Sequence, residues 1–195
     1  MSIINEYGYN VEEVDDFLTL EECDKIIELC DGKLKESKIY SGEGDIYDKS
    51  KRDSEQCWLE DDNIMIRKIR DKVRMYTNTV ENYQEMLQVV RYKIGGFISC
   101  HYDACDGDEE YCKRLNGEYG ERYITVLFYL NDDFEGGRTI FPYIKRYIKA
   151  KKGKCVIFKN VNKDGNIIRQ SLHESSEVIS GEKWIGTIWI KNKRM

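Results

Sequence analysis

Near residue 85 the hydrophobic pattern of this chain switches from helical to strand period, and that switch limits the folds open to it. Before it, Leu20, Cys23, Ile26, Ile27 and Cys30 recur at helical spacing behind Thr19-Leu20-Glu21-Glu22, a capping box. This predicts a helix over 20–30 that ends near Gly32. Ile66, Ile69, Val73, Tyr76 and Val80 predict a second amphipathic helix over 63–82. Val11–Phe17 reads as an opening strand, and the polar stretch between the helices, with Gly42 and Gly44, reads as loops. After the switch come seven short β-rich runs, at 86–92, 97–103, 122–130, 138–141, 154–158, 167–173 and 184–190. Gly95-Gly96, Asn131-Asp132, Gly136-Gly137 and Asp164-Gly165 punctuate them. Helices first and strands afterwards predict an α+β, mainly β fold. The expected form is a jelly roll, or double-stranded β-helix, with the N-terminal helices packed outside one sheet. The 195 residues suit one domain, a helical support over 1–85 and a β core over 86–195. Residues 104–121 are polar and strand-poor, the composition of a lid or binding loop.

Composition excludes several classes. With 41% hydrophobic and 34% charged residues the chain reads as soluble and globular. No stretch approaches the ~20 apolar residues of a membrane span. The 31 basic and 36 acidic residues leave a formal charge of -5, against a protein that coats nucleic acid. Met1–Glu6 has neither the basic start nor the apolar run of a secretory signal. That absence, with seven cysteines and no CxxC pair, predicts reduced thiols and a cytoplasmic location. Cys23 and Cys30 fall on the buried face of the first helix. Cys100, Cys105 and Cys112 lack the paired spacing of structural zinc sites. Lys145, Arg146, Lys149, Lys151, Lys152 and Lys154 form a basic run whose plainest role is a solvated strand edge.

Only two histidines are present. His101 opens His101-Tyr102-Asp103 on one β-rich run, and His173 lies on a later one. Residues i and i+2 of a strand share a face, so His101 and Asp103 can converge on one ion while His173 supplies the third corner. Two neutral imidazoles and one carboxylate suit Fe(II) and leave positions open for chemistry. Lys183 adjoins the apolar run Trp184–Ile190, so its stem can run inward, and a buried ammonium requires an anionic partner. A dicarboxylate would provide one.

These residues and their order resemble the prolyl 4-hydroxylase family of Fe(II)/2-oxoglutarate dioxygenases through nearly the whole chain. The resemblance rests on Val14–Cys23, Arg52-Asp53-Ser54 with Trp58, Leu87–Tyr92, Gly96 and His101–Ala104. It continues through Arg122–Asn131, Glu135–Pro142, Lys152-Gly153, Phe158, Leu172-His173 and Gly181–Trp184. The resemblance implies that His101, Asp103 and His173 hold iron and that Lys183 pairs with the distal carboxylate of 2-oxoglutarate. A lysine at that place favours prolyl hydroxylases over nucleic-acid demethylases and lysyl hydroxylases, which typically use arginine. Tyr92, Tyr129 and Thr139 align with positions that hydrogen-bond the cosubstrate, and Arg122 and Trp189 with positions that face a peptide. Arg138 stands where the family usually has glutamate, and Ala150 near Lys151-Lys152-Gly153 where it often has proline.

The implied reaction is hydroxylation of peptidyl proline at C4, with O2 consumed and 2-oxoglutarate converted to succinate and CO2. L-Ascorbate is the implied reductant. A compact, free-standing enzyme of the algal, microbial or large-virus type is the implied form, with a proline-containing peptide as partner and neither nucleic acid nor membrane. The competing readings are an oxygenase for another protein residue or a small molecule, and a catalytically silent binding module of the same fold.

Overall fold

The structure, a computed structural model, describes residues 9–41, 44–80, 83–105 and 109–193. The N-terminal segment read for a leader therefore lies outside the described residues, as do Gly42 and the acidic positions 106 and 108. In chain order the first half comprises β1 (Val11–Val14), α1 (Leu20–Leu29), β2 (Lys35–Glu36), β3 (Ile39–Ser41), β4 (Gly44–Ile46), β5 (Arg52–Asp53), β6 (Glu55–Leu59) and α2 (Ile64–Thr77). Then follow β7 (Leu87–Tyr92), β8 (Phe97–His101), α3 (Glu109–Asn116), β9 (Arg122–Tyr129), β10 (Glu135–Gly136) and β11 (Thr139–Phe141). The chain closes with β12 (Arg146–Ile148), β13 (Cys155–Lys159), β14 (His173–Ser175), β15 (Val178–Ser180) and β16 (Lys183–Lys191).

Two antiparallel sheets face each other. The major one runs β1-β13-β9-β16-β7-β6-β2 and the minor one β12-β11-β14-β8-β5, the jelly-roll arrangement expected of the strand-rich half. Both faces of the major sheet are covered, so its central strands alternate between two apolar environments rather than between core and water. Val126 and Phe128 of β9 and Ile188 of β16 join Ile26, Ile66, Ile69 and Val73 in a cluster under the two helices. Leu127, Tyr129 and Ile185 turn the other way, toward Phe141 and Ile148 of the minor sheet. That alternation is why β16 is buried at every one of its positions.

The helices form for local reasons. The Thr19 hydroxyl accepts from Glu22 N–H at 3.1 Å, and the Glu22 carboxylate accepts from Thr19 N–H at 2.9 Å, so the capping box is complete. Glu22 also takes the Lys72 ammonium at 2.7 Å, which joins α1 to α2. α2 stops at Thr77, short of the expected 82, because Asn78 adopts a left-handed conformation at φ 52° and caps it.

Other boundaries differ as well. β1 ends at Val14, where a turn with Asp16 at φ 56° begins. The polar stretch after α1, read as loops, holds five short strands. Of these, β2 and β6 extend the major sheet and β5 the minor one. Cys57 and Leu59 of β6 alternate into the core, a two-residue signal too short to stand out in a polar background. Residues before 86 thus supply strands to both sheets besides the two helices. The 104–121 segment carries α3, and Cys105 is disulfide-bonded to Cys112. This corrects the expectation of uniformly reduced thiols: Cys112 on α3 lies beside Cys105, Cα to Cα 5.5 Å, a closeness that sequence spacing alone does not reveal. Cys23, Cys30, Cys57 and Cys155 are buried free thiols. No helix among the described residues is long and apolar enough to cross a membrane.

The basic run is not a bare edge. Arg146 and Lys154 both reach Glu13 at 2.8 Å, Lys151 meets Asp16 at 3.1 Å, and Lys152 pairs with Asp24. These ion pairs lace β1 and the start of α1 to the β12–β13 region.

Candidate active site

β8 and β14 are antiparallel neighbours, and His101 and His173 stand directly opposite each other in their register. Their rings lie 4.4 Å apart between centroids. β8 ends at His101, so Asp103 sits in a bend beyond the strand, not on the i+2 strand position expected from sequence. The bend swings its carboxylate between the two imidazoles, with Oδ1 3.7 Å from His101 Nε2 and Oδ2 3.8 Å from His173 Nε2. The strand read over 167–173 is likewise a 3-10 turn, Arg169–Ser171, and β14 begins only at His173.

The ligand atoms of the three residues all lie within 4.8 Å of one another. Each histidine Nδ1 is 2.9 Å from a backbone carbonyl, Ser99 O for His101 and Ser171 O for His173. A carbonyl only accepts, so Nδ1 carries the proton and both Nε2 lone pairs point inward. Burial, reinforced by the neighbouring His173, pushes His101 down to about 4, so its ring is neutral at physiological pH. Burial opposes ionisation of Asp103, but the two imidazoles, Arg122 and the Thr125 hydroxyl outweigh it and hold the carboxyl below its usual range. Thr125 donates to Asp103 Oδ2 at 2.6 Å and itself accepts from Asn160 Nδ2 at 2.8 Å. Two neutral nitrogen donors and one oriented carboxylate fit a divalent metal held on one face.

The triad opens into a cavity of about 550 Å³ between the sheets. At one end Lys183 is fully buried. Its ammonium donates to Gly137 O and Ser175 Oγ, each at 2.7 Å, and sits 5.2 Å from the Tyr92 ring centre. No carboxylate pairs with it among the described residues, and burial alone pushes its pKa down to about 7. Gly137 permits this approach: at φ +55° a Cβ would be strained and would meet Lys183 Cδ at 3.0 Å. Thr139 and Tyr92 line the same end. Tyr129 stands behind it, outside the cavity lining, and donates its hydroxyl to Thr139 at 2.7 Å.

The model of the 2OG-Fe(II) oxygenase superfamily matches residues 87–191, from the start of β7 to the end of β16. The chain belongs to the 2OG-Fe(II) oxygenase superfamily. It is 34% identical over 88% of its length to 70% of a putative prolyl 4-hydroxylase of Acanthamoeba polyphaga mimivirus. It is 30% identical over 91% of its length to 69% of prolyl 4-hydroxylase 13 of Arabidopsis thaliana. Among solved structures, the viral collagen prolyl hydroxylase of Paramecium Bursaria Chlorella virus-1, in its 2OG complex, superposes with a TM-score of 0.73 at 31% identity. That match covers 93% of this chain and 95% of the other.

At the opposite end of the oxygenase cavity the wall is charged and paired. Arg122 is half-buried beside Glu85, with two hydrogen bonds of 2.8 Å to its carboxylate, and its guanidinium lies 3.6 Å from the Trp189 ring centre. Arg122 and Trp189 both line the cavity, and Trp58 packs 6.0 Å from Trp189. Thr125, Asn160, Ser175 and Glu85 were not singled out by sequence. Ser175 had a usable signal, since it shares a strand face with His173 two residues away. The other three act through contacts made across strands, which no local pattern encodes. Cys100 does not join Cys105 and Cys112; its thiol donates to Glu174 at 3.0 Å.

Proposed function

We propose that this oxygenase hydroxylates C4 of prolyl residues in peptides, coupled to conversion of 2-oxoglutarate to succinate and CO2. The observation that carries the reading is Lys183: a fully buried ammonium with no carboxylate partner among the described residues, in the same cavity as a His-Asp-His cluster. In this reading His101, Asp103 and His173 hold ferrous iron. With 2-oxoglutarate and O2 bound, that iron supplies the oxidising chemistry.

The chain's own residues then bind, orient and exclude water. Lys183 anchors the distal carboxylate of the cosubstrate in a dry pocket, where a charge-assisted pair is strong. Thr139 and Tyr92 line its path, and Tyr129 holds the Thr139 hydroxyl in one orientation. Thr125 fixes the Asp103 carboxylate, and the carbonyls of Ser99 and Ser171 fix the imidazoles, so the donor set does not rearrange on loading. Arg122 and Trp189 form the wall that a peptide meets. A proline-rich segment already favours an extended polyproline II form and fits such an open wall at low ordering cost. The names of the relatives, 30–34% identical over most of the chain, support proline as the target, as does a lysine at the cosubstrate end. L-Ascorbate is the expected reductant for enzyme whose iron has oxidised.

The test is anaerobic titration with Fe(II) and 2-oxoglutarate, followed by exposure to air with repeated Pro-Pro-Gly, poly-proline and hydroxyproline-rich wall sequences. Succinate release matched by one added oxygen on proline is expected. Release stimulated only by another amino acid or a small molecule would remove the prolyl assignment.

A further inference from the structure

The last residues of β16 do more than end a strand. Lys191 is 8% exposed, and burial lowers its pKa, partly offset by Glu85. Its ammonium reaches three groups from two separate parts of the chain: Gly120 O at 3.1 Å, Asn116 Oδ1 at 3.3 Å and the Glu85 carboxylate at 3.5 Å. Glu85 is the residue that grips Arg122 on the cavity wall. Asn116 closes α3 and donates to Glu121, whose other carboxylate oxygen accepts from Cys105 N–H at 3.1 Å. Asn192 completes the clasp, exchanging 2.9 and 3.0 Å hydrogen bonds with Glu121. Gly120, at φ +70°, is needed for that approach, since a Cβ there would lie 2.0 Å from Asn192 Oδ1.

We propose that Lys191 is a positioning residue of the peptide site, latching the disulfide-closed segment around Cys105 and α3 to the Glu85–Arg122 wall. This rests on the prolyl reading for its consequence, but the latch itself does not. A buried cation is costly unless its donors are satisfied. Here they are satisfied only when the Asn116–Gly120 turn and Glu85 are both in place, so the ammonium couples the two. Cys105 lines the cavity two residues beyond Asp103, so slack in this segment would be felt at the peptide wall, far from the Lys183 end.

Lys191→Met keeps the apolar stem and removes the donors; Lys191→Arg restores charge and donors; Asn116→Ala cuts the latch on the loop side and leaves the Glu85 pair intact. Amide hydrogen exchange on the metal-loaded protein reads the latch without substrate. Lys191→Met and Asn116→Ala are expected to speed exchange in 105–121 while β9 and β13 keep wild-type rates, and Lys191→Arg to restore protection. With a proline peptide that the wild type consumes, both disruptive variants are expected to raise peptide KM about three- to tenfold, the worth of one or two hydrogen bonds. The KM for 2-oxoglutarate should stay within about twofold, since Lys183 lies at the other end of the cavity and the latch does not touch it. Unchanged exchange in 105–121, or acceleration spread equally over the sheets, overturns the latch. Faster local exchange with unchanged peptide KM overturns its role in the peptide site. A wild type that consumes no proline peptide would remove the prolyl reading, and the exchange data would still decide the latch.

Discussion

The two ends of the cavity treat buried cations in opposite ways. At the inner end Lys183 has a carbonyl, a hydroxyl and two tyrosine rings for company, and no carboxylate among the described residues. At the outer end Arg122 and Lys191 share the carboxylate of Glu85. A buried cation with its carboxylate in place is finished structure, whereas one without is held at a cost and gains most from an incoming anion. The pKa directions separate Lys183 from Arg122, although Lys191 is still lowered by burial despite Glu85. Burial alone acts on Lys183 and lowers it, while for Arg122 the Glu85 charge outweighs burial and raises it. One end is built to receive a charge and the other to keep its charges still.

The comparison breaks most visibly if the triad between the two ends is removed. His173→Ala is expected to abolish iron binding and turnover while the thermal unfolding transition persists; retained turnover would refute the donor assignment. Next comes Lys183→Met, which should weaken 2-oxoglutarate binding by about 100-fold or more, as expected when one partner of a buried ion pair is lost. Calorimetric titration reads this directly.

The same lysine gives a pH test with two opposite signs. The unfolded chain keeps the Lys183 proton up to about 10.5, and the folded, cosubstrate-free protein releases it near 7. The unfolded state therefore binds more protons between those values, so this group makes stability rise with pH across that window. Cosubstrate binding runs the other way, weakening above pH 7 by up to about tenfold per unit as a proton must be taken up. Urea unfolding and 2-oxoglutarate titration at pH 6.5 and 8.5 check both, and Lys183→Met should flatten both slopes.

At the outer end, Arg122→Met is expected to raise peptide KM about 10- to 100-fold, the worth of hydrogen bonds from a charged group. The 2-oxoglutarate KM should hardly move; equal effects on both would erase the distinction between the ends. Thr125→Val, which strips the hydroxyl from Asp103, should cost about tenfold in iron affinity, in line with other groups that orient a metal ligand. Smallest of all, Lys151→Ala on the β1 side should leave the urea unfolding midpoint unmoved, because its ion pairs are exposed.

Much of the inner end is legible in the sequence. His101 and His173 are the only imidazoles in the sequence, Asp103 is a carboxylate two residues from one of them, and Lys183 abuts an apolar strand. The capping box at Thr19 was equally readable, because both of its partners lie within one turn. The extent of α2 was not, since Tyr76 and Val80 keep the helical period past the point where Asn78 turns the backbone left-handed. β6 was hidden in polar sequence, because what makes it a strand is its pairing with β7.

By itself, then, the amino-acid order determined the change of period, the helix starts and which side chains were candidates for metal donors and for a buried cation, all of which depend on neighbours along the chain. The folded structure alone decided that Asp103 approaches the two imidazoles from a bend, that Cys105 joins Cys112, and that Lys191 serves Glu85 and Asn116 together. Those outcomes depend on distances between residues remote in sequence, set when the two sheets and the helices close on a shared core. Side-chain chemistry is written locally, but the partners that satisfy or withhold charge are chosen by packing.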